Sequence, residues 1–211
     1  RKVTRDIHVS IVVNNAAFIS FGLFPDIRIE RLRANMTCNA TSVVEITHYF
    51  ARRMLTGGRT GKKRRGYIAF TCSAGQYLPS PTASLYASTK AFLTNFACAF
   101  AAENYARGID VTIILPGPVA TNFYAASTGL PTVEATKKMA VAPGAIASLF
   151  FQCAGRIVMF DSNSLMPVGF KWLNKLVDFP LLMEAMIRFA HWFPDIQKLS
   201  GESELTGNGA G

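Results

Sequence analysis

A chain of 211 residues, half of them hydrophobic and only 17% charged, is long enough for one sizeable core and too apolar to stay disordered. Its formal net charge of +9 invites a nucleic-acid reading, but the segment 51–66, ARRMLTGGRTGKKRRG, holds seven basic residues and no acidic one, and the remainder is close to neutral. Cys38, Cys72, Cys98 and Cys153 lie far apart without CxxC spacing, which argues against a structural metal and for an intracellular, reducing compartment.

Residues 1–8 are largely charged and carry no signal-peptide pattern. The run HVSIVVNN at 8–15 is short, rich in Val and Ile, apolar on both faces and closed by polar residues. That pattern predicts a strand of a covered parallel sheet. A window of helical length follows, about 35–55. The basic segment 51–66 reads as a solvated connection: it has Gly, Thr and Lys, no apolar periodicity and no aromatic residue for base stacking, so no nucleic-acid partner is expected. GYIAFTC at 66–72 and IDVTIILPG at 109–117 repeat the strand pattern on either side of a second helical window, 86–107. The order is βαβαβ, a unit of doubly wound α/β sheets.

The longest uncharged stretch, 111–133, is broken by Pro116, Gly117, Pro118, Gly129 and Pro131, and 139–155 is short and contains Pro143 and Gly144, so no membrane span is expected. In 169–179 the polar residues Lys171, Asn174, Lys175 and Asp178 form one narrow stripe, and in 180–193 Glu184, Arg188 and His191 form another. Both segments read as amphipathic helices with wide apolar faces that carry Trp172, Phe179, Phe189, Trp192 and Phe193; Pro180 suits a helix start. Four uses are open for them: packing on the core, covering an apolar substrate, forming a dimer surface, or a peripheral membrane contact through 165–193. Residues 200–211, SGESELTGNGAG, read as a flexible tail. The expected division is 1–164 as an α/β core, 165–199 as a helical extension packed on it, and 200–211 as the tail.

In a doubly wound sheet, ligands bind beyond the carboxyl ends of the strands. Asn14 and Asn15, Ser73, and the segment 116–121 follow the three strand runs and would face one crevice. SLYASTK at 84–90 opens the helix after Ser73, with Tyr86 and Lys90 four residues apart on one helical face. At ~4 Å and an effective dielectric near 20, an ammonium favours a phenolate by on the order of 4 kcal/mol. That is enough to move a phenol from its ordinary value toward neutrality and make it a proton donor. His8, His48 and His191 share no local pattern and are read as structural.

NNAA at 14–17, Asn39, Ser73, YASTK at 86–90 and PGPVAT at 116–121, with Tyr86 placed 13 residues after Ser73, together resemble the short-chain dehydrogenase/reductases, hydroxysteroid dehydrogenases and 3-oxoacyl reductases among them. The resemblance implies a Rossmann-type doubly wound parallel sheet. It also implies NAD(P)-dependent interconversion of a carbonyl and a secondary alcohol by hydride transfer, with NADP ahead of NAD. Tyr86 would give or take the proton, Ser73 would hydrogen-bond the same oxygen, and Lys90 would lower the Tyr86 pKa and hold the nicotinamide ribose. Asn39 would hold a relay water. Asn14 and Ala16 would lie beside the cofactor, and Pro116, Gly117, the Val119 backbone and the Thr121 hydroxyl would meet the nicotinamide carboxamide. The implied substrate is apolar and the implied assembly a homo-oligomer, cytoplasmic or membrane-associated, with no metal.

Two departures qualify the resemblance. NNAA stands where the family has NNAG, so Ala17 adds a Cβ where the cofactor approaches. The family's glycine-rich phosphate turn is not in this sequence, and the expectation is an N-terminally truncated domain, its first βαβαβ half missing, whose run 8–15 becomes an exposed edge. The alternative expectation is a catalytically inactive fragment or interaction subunit whose exposed strand and apolar helices pair with another polypeptide.

Overall fold

The computed structural model describes residues 4, 7–57, 65–127, 129–162 and 165–207. Strands β1 (Ile11–Asn14), β2 (Gly66–Thr71), β3 (Ile109–Leu115) and β4 (Met159–Asp161) pair in parallel in that order. Parallel neighbours need long crossovers, and helices supply them. Helix α1 (Ile29–Met36) runs through a widened π turn, Thr37–Thr41, into α2 (Ser42–Thr56), and α3 (Ser84–Asn104) joins β2 to β3. Between β3 and β4 come α4 (Pro131–Lys138) and α5 (Pro143–Cys153); α6 (Leu165–Leu176), α7 (Phe179–Phe189) and α8 (Pro194–Gly207) follow β4. The three predicted strands and both helical windows are present. β4 was not expected, because three residues are too few to show a pattern.

The register aligns Val12 with Ile68 and Ile68 with Val111, so branched side chains form a continuous row across the sheet. On this face Ile68, Phe70, Ile113 and Leu115 are fully buried against Val43 and Met54 of α2 and Leu93, Ala97 and Ala101 of α3. The small Ala97 and Ala101 let α3 lie close to the strands, and each fully buried large side chain contributes about 1.5–3 kcal/mol. On the other face α5 covers β3, with Ile146 and Cys153 against Ile114. That cover stops short of β1: Ile11 is 58% and Val13 50% exposed, while Val12 between them is buried. β1 is therefore an edge strand among the described residues, with one open face.

Three expectations change. The segment 51–66 is not all solvated connection: residues 51–56 complete α2, Ala51 and Met54 are buried, and Gly57 closes the helix at φ 73°. A Cβ at Gly66 would collide with the Met54 sulfur, so the end of this helix and the start of β2 are packed face to face. Residues 58–64, the centre of the basic run, lie outside the described residues. The expected tail is helical as far as Gly207, since α8 continues through it, and 208–211 lie outside the described residues. Finally, α6 docks with part of its polar stripe inward: Lys171 donates to Asp161, Asn174 donates to the Tyr77 carbonyl, and Trp172 is 57% exposed. Among the described residues no helix is long and apolar enough to cross a membrane.

Candidate active site

The carboxyl ends of β1, β2 and β3 open onto one region, and the predicted residues gather there. Asn14 ends β1 buried, its Nδ2 donating to Thr47 Oγ1 at 3.1 Å and so tying the strand to α2. Asn15 accepts the Thr71 hydroxyl at 2.9 Å, which joins the tips of β1 and β2. Ala16 beside them is exposed and Ala17 half-buried.

Ser73 follows β2 in extended backbone and caps the short 3₁₀ turn Ala74–Gln76, its Oγ accepting the Gly75 N–H at 3.1 Å. The Ala74 N–H donates to the Pro116 carbonyl at 3.0 Å, so the Ser73 turn is tied to the loop after β3. Tyr86 lies in the first turn of α3, with its phenol near enough to the Ser73 side chain to be influenced by it. Its ring meets Phe123 at 5.5 Å between centroids. Lys90, one helical turn later and buried, donates from Nζ to the Thr71 carbonyl at 2.7 Å and sits 5.8 Å from the Tyr86 ring centre. Ser73, Tyr86 and Lys90 are thus one cluster.

Burial sets the electrostatics of this cluster. Desolvation pushes the Tyr86 phenol above its ordinary value, and the Ser73 side chain opposes that rise. Desolvation pulls Lys90 below its ordinary value. The expected lowering of the phenol by the ammonium does not dominate here, because the charge is turned to the Thr71 carbonyl. Cys72, buried beside them, is pushed up to about 11 by burial, with a hydrogen bond from Thr94 and the Lys90 charge pulling the other way. Its thiol therefore stays protonated at neutral pH and does not compete as a nucleophile.

Asn39 is fully buried inside the π turn, which turns it toward β1. Its Oδ1 accepts the Phe18 N–H at 3.1 Å, and its Nδ2 donates to the Phe18 carbonyl at 2.9 Å and to Thr89 Oγ1 at 3.3 Å. Thr89 in turn donates to the Tyr86 carbonyl at 2.7 Å. The Asn39 carboxamide is committed to clamping the chain after β1 onto the helix of Tyr86, so a relay water would have to be held by other groups of the turn.

Pro116 and Gly117 leave β3 with Gly117 N–H on Ser162 Oγ at 2.9 Å. Val119 pairs with Val141, and Ala120 N–H donates to the Val141 carbonyl at 2.9 Å. Thr121 is exposed, its Oγ1 accepting the Phe123 N–H at 3.3 Å, and its hydroxyl proton is left to donate outward. Sequence reasoning missed Thr89, Phe123, Tyr77, Asp161, Ser162, Lys171 and Asn174 as parts of this region. The one available signal was the pair Lys171 and Asn174, polar residues three apart on an otherwise apolar segment.

The exposed Thr121 hydroxyl, the exposed Ala16 backbone and the Lys90 ammonium, whose described contact uses one of three donors, fit the carboxamide and ribose of a nicotinamide nucleotide. Among the described residues no group of three His, Cys, Asp or Glu is placed to hold a metal ion.

Comparison with known proteins bears on the same stretch. Residues 3–129 match the family described as short chain dehydrogenase. An uncharacterised short-chain type dehydrogenase/reductase of Sinorhizobium fredii is 31% identical over 122 residues, 57% of this chain and 47% of that protein. A very-long-chain 3-oxoacyl-CoA reductase of Lodderomyces elongisporus is 31% identical over 117 residues, 54% of this chain and 33% of that protein. A structure described for 7beta-hydroxysteroid dehydrogenase stereoselectivity superposes with a TM-score of 0.70 at 21% identity, covering 88% of this chain and 70% of that one. A short chain dehydrogenase of Burkholderia cenocepacia J2315, in complex with NADP, gives 0.67 at 17% identity, covering 88% and 72%. The chain spans about half or less of the length of these curated relatives.

Proposed function

The chain belongs to the short chain dehydrogenase family, and from that premise we propose that it interconverts a carbonyl and a secondary alcohol, with Tyr86 moving the proton. The observation that carries this is the placement of Ser73 and Tyr86 together at the carboxyl edge of a parallel sheet, with Lys90 buried beside them. A reduced nicotinamide nucleotide, held by Lys90, the Val119 backbone and Thr121, would supply the hydride. Ser73 and Tyr86 present two hydroxyls to one small volume, so a substrate oxygen between them is oriented by both. The phenol, kept protonated by its burial, is ready to donate as negative charge develops on that oxygen. The Lys90 ammonium then favours the phenolate left behind, and this is where its charge acts: on the product of proton transfer, not on the resting phenol.

Several finer points support one substrate class. Phe123 packs beside the Tyr86 ring and Tyr124 against Phe123, which gives the crevice an aromatic wall suited to a steroid or a 3-oxoacyl chain. The 3-oxoacyl-CoA reductase and the hydroxysteroid dehydrogenase among the relatives carry names of that kind. NADP is the preferred cofactor in this reading, in keeping with the relatives solved with NADP.

Tyr86→Phe is the test. It should abolish turnover while fluorescence titration shows nearly unchanged affinity for reduced nicotinamide nucleotide, since only the proton donor is lost. Lys90→Ala should harm both. Turnover retained in Tyr86→Phe would remove the assignment, and equal cofactor affinity in Lys90→Ala would remove the second role of the lysine. A different reading, an interaction subunit without turnover, draws on the open face of β1 and the exposed Trp172. It requires a partner chain in cross-linking and no effect of either substitution on its capture.

A further inference from the structure

Two adjacent side chains at the carboxyl end of β4 reach back to both loops of the site. Ser162 donates its N–H to the Leu115 carbonyl at 3.1 Å and accepts the Gly117 N–H on Oγ at 2.9 Å, which fixes the chain as it enters 116–121. Asp161 accepts the Tyr77 phenol on Oδ1 at 2.5 Å and the Lys171 ammonium on Oδ2 at 2.7 Å. Tyr77 closes the 3₁₀ turn that Ser73 opens, and its carbonyl accepts the Asn174 amide from α6. The Asp161 side chain is only 15% exposed and Ser162 only 4%.

We infer that Asp161 and Ser162 are positioning residues for the Ser73 turn and the 116–121 loop, and that Lys171 and Asn174 bind the C-terminal helix α6 into the same device; the inference rests on the reductase reading above. The Ser73 turn is held at its front by Pro116 and at its back by Tyr77, so freeing the back lets the Ser73 hydroxyl drift from the Tyr86 phenol. A hydrogen bond from a phenol to a carboxylate is short and strong, and a misplacement of about 1 Å at a reacting centre costs on the order of 10²-fold in rate. Burial and the Asp161 charge push the Tyr77 phenol well above its ordinary value, so it remains a donor across the working pH range. Lys171 neutralises the carboxylate, which would otherwise sit half-enclosed without a counter-charge.

The test uses the full chain with NADPH and two carbonyl probes, acetoacetyl coenzyme A and a 7-oxosteroid, alongside hydrogen–deuterium exchange of residues 74–77 and 117. Asp161→Ala and Tyr77→Phe should each lower kcat about tenfold or more, with KM for NADPH within about twofold, because orientation is lost and cofactor contacts are kept. Asp161→Asn keeps an acceptor for Tyr77 and should restore most of the rate. Exchange at 74–77 should rise in Asp161→Ala. Lys171→Met, at a half-exposed position, should show a smaller loss of the same kind and guards against misfolding of the alanine variant. A kcat within about twofold of wild type in both Asp161→Ala and Tyr77→Phe, or an Asn variant as poor as the Ala variant, overturns the inference. A wild-type protein that reduces neither probe overturns the reductase reading instead, and unchanged exchange at 74–77 in Asp161→Ala then overturns the tether on its own.

Discussion

Tyr86 is half-buried beside the buried Lys90 and Cys72, and desolvation acts on each in the direction of its neutral form. For Cys72 this is a measurable part of stability. Its thiol rises from an ordinary 9.0 to about 11 in the fold, so above pH 9 the unfolded chain loses the proton that the folded chain still holds. The sign follows: the contribution is complete below the ordinary value and is lost as pH climbs through about 11. The gap corresponds to about 2–3 kcal/mol, of which Cys72→Ala should be relieved. Urea unfolding of wild type and Cys72→Ala at pH 8 and at pH 11 should therefore show a smaller alkaline loss in the variant. Equal losses would mean that the thiol is not shielded from water. The motif residues could be singled out at this scale from their order and spacing taken together with the family they resemble. Their protonation balance could not, since it depends on burial in the folded chain and on groups distant in sequence, such as Cys72 and Cys38 near Lys90.

A helix with one residue too many explains how Asn39 comes to face β1. The π turn rotates the chain so that Asn35 and Asn39 both address Phe18, and their amides replace the backbone partners that a loop after a strand would otherwise lack. Asn39→Leu keeps the volume but removes the Phe18 N–H acceptor and leaves the Phe18 carbonyl to Asn35 alone, so unfolding free energy should fall by about 1–3 kcal/mol. A loss under about 1 kcal/mol in urea titration would show that water takes over the role. Local sequence reasoning located the helix of Asn39 but not this turn, because a π bulge leaves no apolar period of its own. For α6 it found the polar stripe but not what the stripe would meet. Lys171 and Asn174 find Asp161 and Tyr77, partners 10 and 97 residues away, and no local pattern reports contacts at such separations.

The order of β1, α2, β2, α3 and β3 was readable from three apolar runs, yet the molecule as a whole carries a feature that runs alone could not weigh: its cover is uneven. Helices α2 and α3 bury one face of the sheet across β1 to β3, whereas α5 covers the other face over β2 to β4 and stops short of β1. Ile11 and Val13 are left on the open side of a strand that, among the described residues, has a strand neighbour on one edge only. An apolar edge of this kind templates pairing with another chain, and a lysine on it is a common natural deterrent. The 211-residue polypeptide should accordingly associate as its concentration rises, and Ile11→Lys with Val13→Lys should shift it toward monomer. Because both side chains are at least half exposed, the double variant should cost no more than about 1 kcal/mol in unfolding free energy. Light scattering coupled to size-exclusion chromatography, with urea titration of both proteins, measures the two outcomes together. If the lysines cost several kcal/mol, the face is covered in solution and β1 is not the exposed edge; if they leave association unchanged, the contact lies elsewhere, with the exposed aromatic side of α6 and α7 the next surface to substitute.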